Sequence, residues 1–405
     1  MQKRIWELTA SMLALTCLTV TGCGSQPIRY MQKKRPSQNI NKIEHKHEIK
    51  TTQPSCDLYK ISMSNLQEGW ALSNKGILYT QNKGRTWDVI LSHIFQQIHN
   101  PYNVHTYFYK KYAWIWVNLN NHEYMYFLNE NKFYEIPFKL HFDSTESQSF
   151  IDFINSHQGW ILINQSQSMQ GSKLLLYSTN TQGKYWKLIS QSFLQSYNEL
   201  PFHGEPTGIK FLNTNNAFIS GLNTSYGDIY FYYSNNDIQW HAIRLPIPPK
   251  SKDAQFISYP VKFISKTIGY LPVIETQIHV DPISNQSYEQ SSVIFYKSVN
   301  SGATWNIFQQ LKLPQQTSQP TLIHWVVLPN GSFVVSDFSG IWENSFHSST
   351  SKWKMLTNTF TSLKIEQIQF ASNNIGFILS THGQLYKTSN GGLTWKIVSI
   401  KLHLS

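Results

Sequence analysis

The chain has 405 residues, a net charge of +11, and 14% aromatic and 14% charged residues. Three cysteines (Cys17, Cys23 and Cys56) are too few for a disulfide framework. Beyond the N-terminus no run is long and apolar enough to span a membrane, and the basic excess is too dispersed for a nucleic-acid surface.

The first element in chain order is a leader. Lys3 and Arg4 precede a mostly apolar run from Leu8 to Val20, and Val20-Thr21-Gly22-Cys23 follows. A basic start, a short apolar stretch and small residues describe a secretory signal. The tetrad resembles the bacterial lipobox. That resemblance implies removal of residues 1–22 and a diacylglyceryl group on Cys23 that holds the protein to a membrane. The expected location is extracytoplasmic, on the outer face of the cytoplasmic membrane if the host is Gram-positive. Residues 23–56 read as a flexible basic tether, with seven Lys and Arg against Glu44 and Glu48 and few large apolar residues. A basic tether beside a lipid would adhere to anionic headgroups. Cys56, just before the first strand, reads as a small buried side chain.

From Asp57 the chain repeats. The first unit contains EGWALSNKGILYTQNKGRTWDVIL, from Glu68 to Leu91, and the last contains IGFILSTHGQLYKTSNGGLTWKIVSI, from Ile375 to Ile400. Each opens on Gly-aromatic, runs through a short apolar strand and a polar turn, and reaches Thr-Trp. Trp87, Trp186, Trp240, Trp305, Trp353 and Trp395 mark six units, and Tyr134 takes the Trp place in another. The seven units fall at about 57–91, 104–140, 150–190, 207–245, 261–312, 321–356 and 366–400. A repeat of about 50 residues with room for four short strands, A to D, predicts an all-β seven-bladed propeller of antiparallel blades over 57–405. Each blade is expected to carry its own strands, so that the ends meet as neighbours without a swapped strand.

The turn before the Trp carries a second pattern, Ser/Thr-x-Asp/Asn-x-Gly-x-Thr-Trp. It is met through Asn82, Gly84 and Trp87, through Asn300, Gly302 and Trp305, and through Asn390, Gly392 and Trp395. This resembles the Asp-box, or bacterial neuraminidase repeat. Its physics is structural: Asn bonds the backbone of a tight turn, Gly supplies positive φ, and Trp packs between blades. The chain as a whole is similar to the photosystem II assembly and stability factor family of propellers. Sortilin-type and oligoxyloglucan-type propellers share the repeat. The resemblance implies the fold and a scaffolding role at membranes, while function belongs to sites grafted on the fold.

Catalysis is not expected. A sialidase-like site resembles one built on three arginines, and this propeller has only Arg85 and Arg244. The loop carboxylates Glu199, Glu205, Asp253, Glu275, Asp281 and Glu289 fall in no recognisable motif, although a glycosidase would need two facing each other. No cofactor and no metal site are expected. The chain reads as a monomeric, non-catalytic binding or assembly module for a protein or glycan, with a carbohydrate-active enzyme as the alternative.

Two sets of site residues follow. Seven places before the Gly-aromatic opening stand Ser62, Thr106, Asp152, Lys210, Lys262, His324 and Gln369. Strand alternation makes them a polar ring on a wet central channel, or else buried polar groups paired between blades, such as Asp152 with Lys210. The A–B and C–D turns are short and share one face. The insertions Ser92–Val104, Ser190–Pro206, Pro246–Pro260, Lys312–Pro320 and Glu275–Ser291 share the other. They offer Tyr102, Tyr197, His203, Tyr259, His279, Asp281, Tyr288 and Glu289 as a ligand face.

Overall fold

Short runs rich in Ile, Tyr, Phe, Trp and Thr, each closed by a polar turn, form thirty strands and one helical turn among the described residues. The structure is a computed structural model that describes residues 56–98, 104–119, 122–137, 140, 147–168, 171–192, 200–201, 203–223, 225–236, 239–282, 285–313, 324–337, 340–344, 353–357 and 364–404. Cys23, the leader and nearly all of the tether lie outside them. No helix among the described residues is long and apolar enough to cross a membrane.

Blade 1 comprises β1 (Leu58–Met63), β2 (Gly69–Ser73), β3 (Gly76–Thr80) and β4 (Trp87–Ile90), followed by α1 (Ser92–Phe95). Blade 2 comprises β5 (Val104–Tyr109), β6 (Tyr112–Leu119), β7 (His122–Asn129) and β8 (Lys132–Ile136). Blade 3 comprises β9 (Ser147–Phe153), β10 (Gly159–Ser168), β11 (Gly171–Thr179) and β12 (Lys187–Gln191). Blade 4 comprises β13 (Glu205–Phe211), β14 (Ala217–Leu222), β15 (Phe231–Ser234) and β16 (His241–Ala242). In blade 5, β17 (Gln255–Ser258) and β18 (Lys262–Phe263) share the inner place before β19 (Gly269–Val280), β20 (Ser287–Ser298) and β21 (Asn306–Lys312). Blade 6 comprises β22 (His324–Val327), β23 (Phe333–Asp337), β24 (Gly340–Asn344) and β25 (Lys354–Thr357). Blade 7 comprises β26 (Ile365–Phe370), β27 (Gly376–Ser380), β28 (Leu385–Thr388) and β29 (Lys396–Ile397), and β30 (Leu402–Leu404) ends the series.

Each blade is an antiparallel meander, and the seven stand around an axis as a β-propeller. The core is divided accordingly. Trp70, Tyr79, Ile115 and Leu128 join blade 1 to blade 2, and Trp160, Phe211 and Trp240 join blade 3 to blade 4. Leu58, Trp87, Phe377 and Leu379 join blade 7 back to blade 1, so apolar burial closes the ring. Cys56 is half-buried at the margin of that last cluster, where burial raises its thiol pKa.

Closure has a second component that the repeat pattern did not show. Beyond blade 7 the chain crosses to blade 1, where β30 adds a fifth strand parallel to β4, and the Trp87 amide donates to the Lys401 carbonyl at 2.9 Å. The added strand covers an edge that would otherwise stay open.

The turn pattern builds what its chemistry predicts. In blade 1 Asn82 Oδ1 accepts the amides of Arg85 at 3.1 Å and Thr86 at 3.0 Å, Thr80 Oγ1 accepts that of Gly84, and the Trp87 indole donates to the Gly84 carbonyl. Blades 5 and 7 repeat this through Asn300, Gly302 and Trp305 and through Asn390, Gly392 and Trp395. Gly302, at φ +86°, lies against the Phe218 ring of blade 4, so a side chain there would collide. Blade 2 departs from the pattern. Its C–D turn is tight, with Glu130 at φ 56°, and Tyr134 is 54% exposed instead of filling the interblade position of the Trp.

Candidate functional site: the channel wall and the long-loop face

Strands β1, β5, β9, β13, β17/β18, β22 and β26 are innermost in their blades. Side chains on these strands reach forward to the next blade, and all but Thr207, which stands at a bulge, have the parity of the ring residue. Lys60 Nζ donates to the Thr106 carbonyl at 2.6 Å. The Tyr107 hydroxyl donates to Asp152 Oδ1 at 2.7 Å and to the Phe153 carbonyl at 3.0 Å. Asp152 Oδ2 accepts the Phe211 amide at 2.6 Å, and its Oδ1 accepts Lys210 Nζ at 2.7 Å. The Thr207 hydroxyl donates to the Ser258 carbonyl at 2.6 Å, and Lys262 Nζ donates to the Trp325 carbonyl at 3.2 Å. His324 is bonded to the backbone of Ile365. Gln367 exchanges two bonds with the Ile61 backbone, and Gln369 Oε1 accepts the Met63 amide at 3.1 Å. Every one of the seven interfaces therefore has a side-chain tie from one inner strand to the next.

These ties change the reading of the polar ring. Asp152 and Thr106 are buried and Lys262 is exposed, so the ring is not uniformly wet. The register also moves two members. Ser62, Asp152, Lys210, Lys262 and Gln369 each face the aromatic of the Gly-aromatic pair or its counterpart, across from Trp70, Trp160, Phe218, Tyr270 and Phe377. In blade 2 the A–B turn is one residue tighter, Tyr109 facing Tyr112, and Tyr107 rather than Thr106 lies across from Trp114. In blade 6 Gly331 belongs to the turn, Phe333 takes the place of the strand-opening Gly, and Val326 rather than His324 holds the ring position.

Burial sets the electrostatics. Lys60, half-buried over the Phe108 ring, and Lys262, reached by water but enclosed by surrounding protein and over the Trp325 ring, are both pushed down to about 8 by loss of hydration. His105 is lowered by burial and then by the Lys60 charge, and it shares a 3.0 Å hydrogen bond with Ser149 while lying tilted against the Trp116 ring, centroids 5.1 Å apart. Glu123, hydrogen-bonded to Trp116, is raised by burial to about 7. Lys60, His105 and Gln367 were not singled out in the sequence; each lies two places before its blade's ring residue, on the same side of the strand.

On the A–B and C–D face the turns are uniform: the amides of Ser64, Leu212, Ile264 and Ala371 close on the carbonyls of Glu68, Asn216, Ile268 and Ile375 at 2.8–3.0 Å. The opposite face is more ordered than a set of loop insertions. Glu275–Ser291 is largely a continuation of β19 and β20, paired to Val280 and Ser287 and closed by a turn in which Asn285 has φ 54°. The ladder places His279 against Tyr288, rings 5.5 Å apart, and Ile278 beside Glu289, with Asp281 at the turn. Ile278 and Val280 are 64% and 59% exposed. These four candidate residues are thus gathered on one projecting hairpin.

The others are not brought to it. Tyr259 is half-buried against the blade 5–6 core, and its hydroxyl pKa is raised by burial. His203 is exposed beside Gly204, ahead of blade 4, while Tyr102, Tyr197 and Glu199 lie outside the described residues. Within Pro246–Pro260, β17 joins the sheets of blades 4 and 5, Leu222 facing Ile257, so this segment is a structural splice. Glu275 is buried at 3% exposure, held by Gln277, by the Ser292 hydroxyl at 2.6 Å and by Gln310 at 3.1 Å. No group of three or more His, Cys, Asp or Glu among the described residues is placed to hold a metal.

No family model and no curated protein sequence matches the chain. Solved structures do resemble it. YCF48 bound to a D1 peptide has a TM-score of 0.50 at 14% identity, over 83% of this chain and 92% of that one. YCF48 from Cyanidioschyzon merolae reaches 0.40 at 14% identity, over 86% of this chain and 88% of that one. The Penicillium chrysogenum alpha-L-arabinanase in complex with arabinobiose reaches 0.42 at 12% identity, over 68% of this chain and 89% of that one. What this chain shares with the first of these is the propeller fold.

Proposed function

We propose that the protein is a non-catalytic binding or assembly module. It is carried at the outer face of a membrane by lipidated Cys23, and it presents its long-loop face to a protein partner. The observation that carries this reading is the β19–β20 hairpin, which sets His279, Tyr288, Glu289 and Asp281 beside the exposed Ile278 and Val280 on a two-stranded extension. Aromatic and aliphatic groups with a few charges suit a protein surface. A propeller of this type, YCF48, is bound to a D1 peptide in its own structure, which supports a polypeptide as the partner class.

Replacing Ile278–Glu289 by a tight turn tests the reading. Thermal unfolding should stay unchanged, while capture of partners from detergent-solubilised host membranes should fall by about tenfold or more, as for loss of an interface centre. Undiminished capture moves the site to another face, and turnover of a plant or cell-wall glycan by the purified chain would replace this reading with the carbohydrate-active one. The anchor has its own test. Fatty-acid labelling should disappear in Cys23→Ala, and label that persists there refutes lipidation at Cys23.

A further inference from the structure

The face of the short A–B and C–D turns carries a basic seam between blades 7 and 1. Lys387, near the end of β28, lies directly across from Lys396 at the start of β29, so the two side chains share one side of the sheet. That side faces blade 1, because Lys387 is also paired with Phe377 and lies over its ring at 5.3 Å. Lys387 Nζ crosses to the C–D turn of blade 1 and donates to the Lys83 carbonyl at 3.3 Å. Arg85 follows in the same turn and, like Lys83, acts on the Lys387 charge. The Lys83 amide in turn donates to the Gln67 carbonyl at 2.9 Å, in the A–B turn of blade 1. The Ser64 hydroxyl of that turn donates to the Lys110 carbonyl of blade 2 at 2.8 Å. Lys83, Arg85, Lys110 and Lys396 are exposed.

No carboxylate answers these cations. The ion pairs among the described residues are Lys111–Glu130 and Lys210–Asp152. Asp88 lies across from Tyr79, on the blade 2 side of β4, and Glu68 is held by Asn65 Nδ2 at 3.0 Å. Like charges directly opposite on neighbouring strands are unfavourable. Lys387 shows the cost: burial, and then Arg85 and Lys83, lower its pKa. Two leucines stand among the cations. Leu393, 52% exposed, is in the turn between Lys387 and Lys396, and Leu66, 40% exposed, precedes Gln67. Cations on turn tips with apolar side chains between them match a surface that is anionic outside and apolar beneath. A nucleic acid supplies the charge without the apolar layer.

We propose that this face, at blades 7 and 1, docks on an anionic phospholipid bilayer. Lys83, Arg85, Lys387 and Lys396 lie against lipid phosphates, and Leu66 and Leu393 enter the headgroup layer. The inference rests on the membrane location proposed above and adds an orientation to it: the long-loop face, with its β19–β20 hairpin, points away from the bilayer toward a partner. The chain enters blade 1 on that far face, where the Leu58 amide meets the Gly383 carbonyl. The anchor therefore limits distance while the basic seam sets orientation. At up to about 3.3 Å per residue, residues 23–56 are long enough to round the rim.

The test uses the full mature chain carrying Cys23→Ala, so that no attached lipid contributes, and sediments it with vesicles of phosphatidylcholine alone or mixed with phosphatidylglycerol. Binding is expected only where phosphatidylglycerol is present and should weaken as salt rises. Lys83→Gln, Lys387→Gln and Lys396→Gln combined should lower partitioning by about fivefold for each cation lost. Leu66→Ser with Leu393→Ser should lower it several-fold at unchanged charge. Lys250→Gln with Lys252→Gln, on the long-loop face, should bind as the parent does. Absence of binding overturns the proposal, and so does equal partitioning by either seam variant, which assigns the contact to the basic tether. Binding of polyglutamate without binding of vesicles assigns the seam to an acidic polypeptide and also overturns it. Fatty-acid labelling of Cys23 is read separately, so failure of the seam and failure of the anchor are told apart.

Discussion

The tie between blades 3 and 4 and the tie between blades 1 and 2 solve one problem with opposite charges. At the first, Asp152 is buried at 2% exposure and receives the Tyr107 hydroxyl, the Lys210 ammonium and the Phe211 amide. At the second, Lys60 has a single carbonyl and an aromatic ring, with no carboxylate in ion-pair reach among the described residues. A carboxylate with three donors recovers its lost hydration. An ammonium with one acceptor does not, which is why burial pulls Lys60 down to about 8. The propeller thus uses its inner strands both to fasten blades fully and to leave charge incompletely matched.

Removing the well-matched acid should produce the largest effect. Asp152→Ala strips the acceptor from three donors and leaves the Lys210 ammonium unpaired, so urea unfolding should show a loss of about 3–5 kcal/mol. Adding Lys210→Met to that variant should restore part of the loss, because the stranded charge goes with it. A loss below about 1 kcal/mol would mean that the blade 3–4 contact rests on its apolar cluster alone.

The poorly matched cation predicts the opposite sign. Lys60 is lowered from 10.5 to about 8, so its charge disfavours the folded state wherever it is protonated. That cost is absent above 10.5, grows as pH falls from 10.5 to about 8, and is complete below. Lys60→Met should therefore raise the unfolding free energy at neutral pH by on the order of 1 kcal/mol, after loss of the bond to Thr106. The gain should shrink as pH rises from 8 toward 10.5. A destabilised Lys60→Met at pH 7 would show that the hydrogen bond and the Phe108 contact outweigh desolvation.

What the sequence made legible was local. Blade number and turn chemistry were readable because Thr80, Asn82, Gly84 and Trp87 bond one another within a single turn. The ring register was not, because one residue fewer in the Tyr109–Tyr112 turn, and a turn glycine at Gly331, shift the alignment without changing the Gly pattern. The β19–β20 hairpin was missed although Gln277, Ile278, His279 and Val280 alternate, since polar strands beyond the core carry a weak signal. The ties through Lys60 and Gln367 join residues remote in sequence, and only the closed ring brings Gln367 to Ile61.

The smallest expected effect separates the two ends of the Trp116 cluster. Glu123 is raised from 4.5 to about 7 because burial of its carboxyl outweighs the opposing hydrogen bond from the Trp116 indole, and its buried Oε2 has no partner among the described residues. Its neutral form favours the fold. The contribution is complete below pH 4.5 and is lost as pH rises to about 7. His105 slopes the other way: its lowered pKa means that stability falls as acid protonates it, from the ordinary 6.5 downward. The two act in opposite directions over the acid range, so the raw stability profile hides both, and the difference between parent and Glu123→Gln isolates one. The amide keeps the acceptor for Trp116 and cannot ionise. Glu123→Gln should match the parent at pH 4 and exceed it at pH 8 by roughly 0.5–1 kcal/mol, discounted for partial hydration of the carboxyl. A difference that does not change between those two pH values would mean that Glu123 ionises as freely in the folded protein as in the unfolded chain.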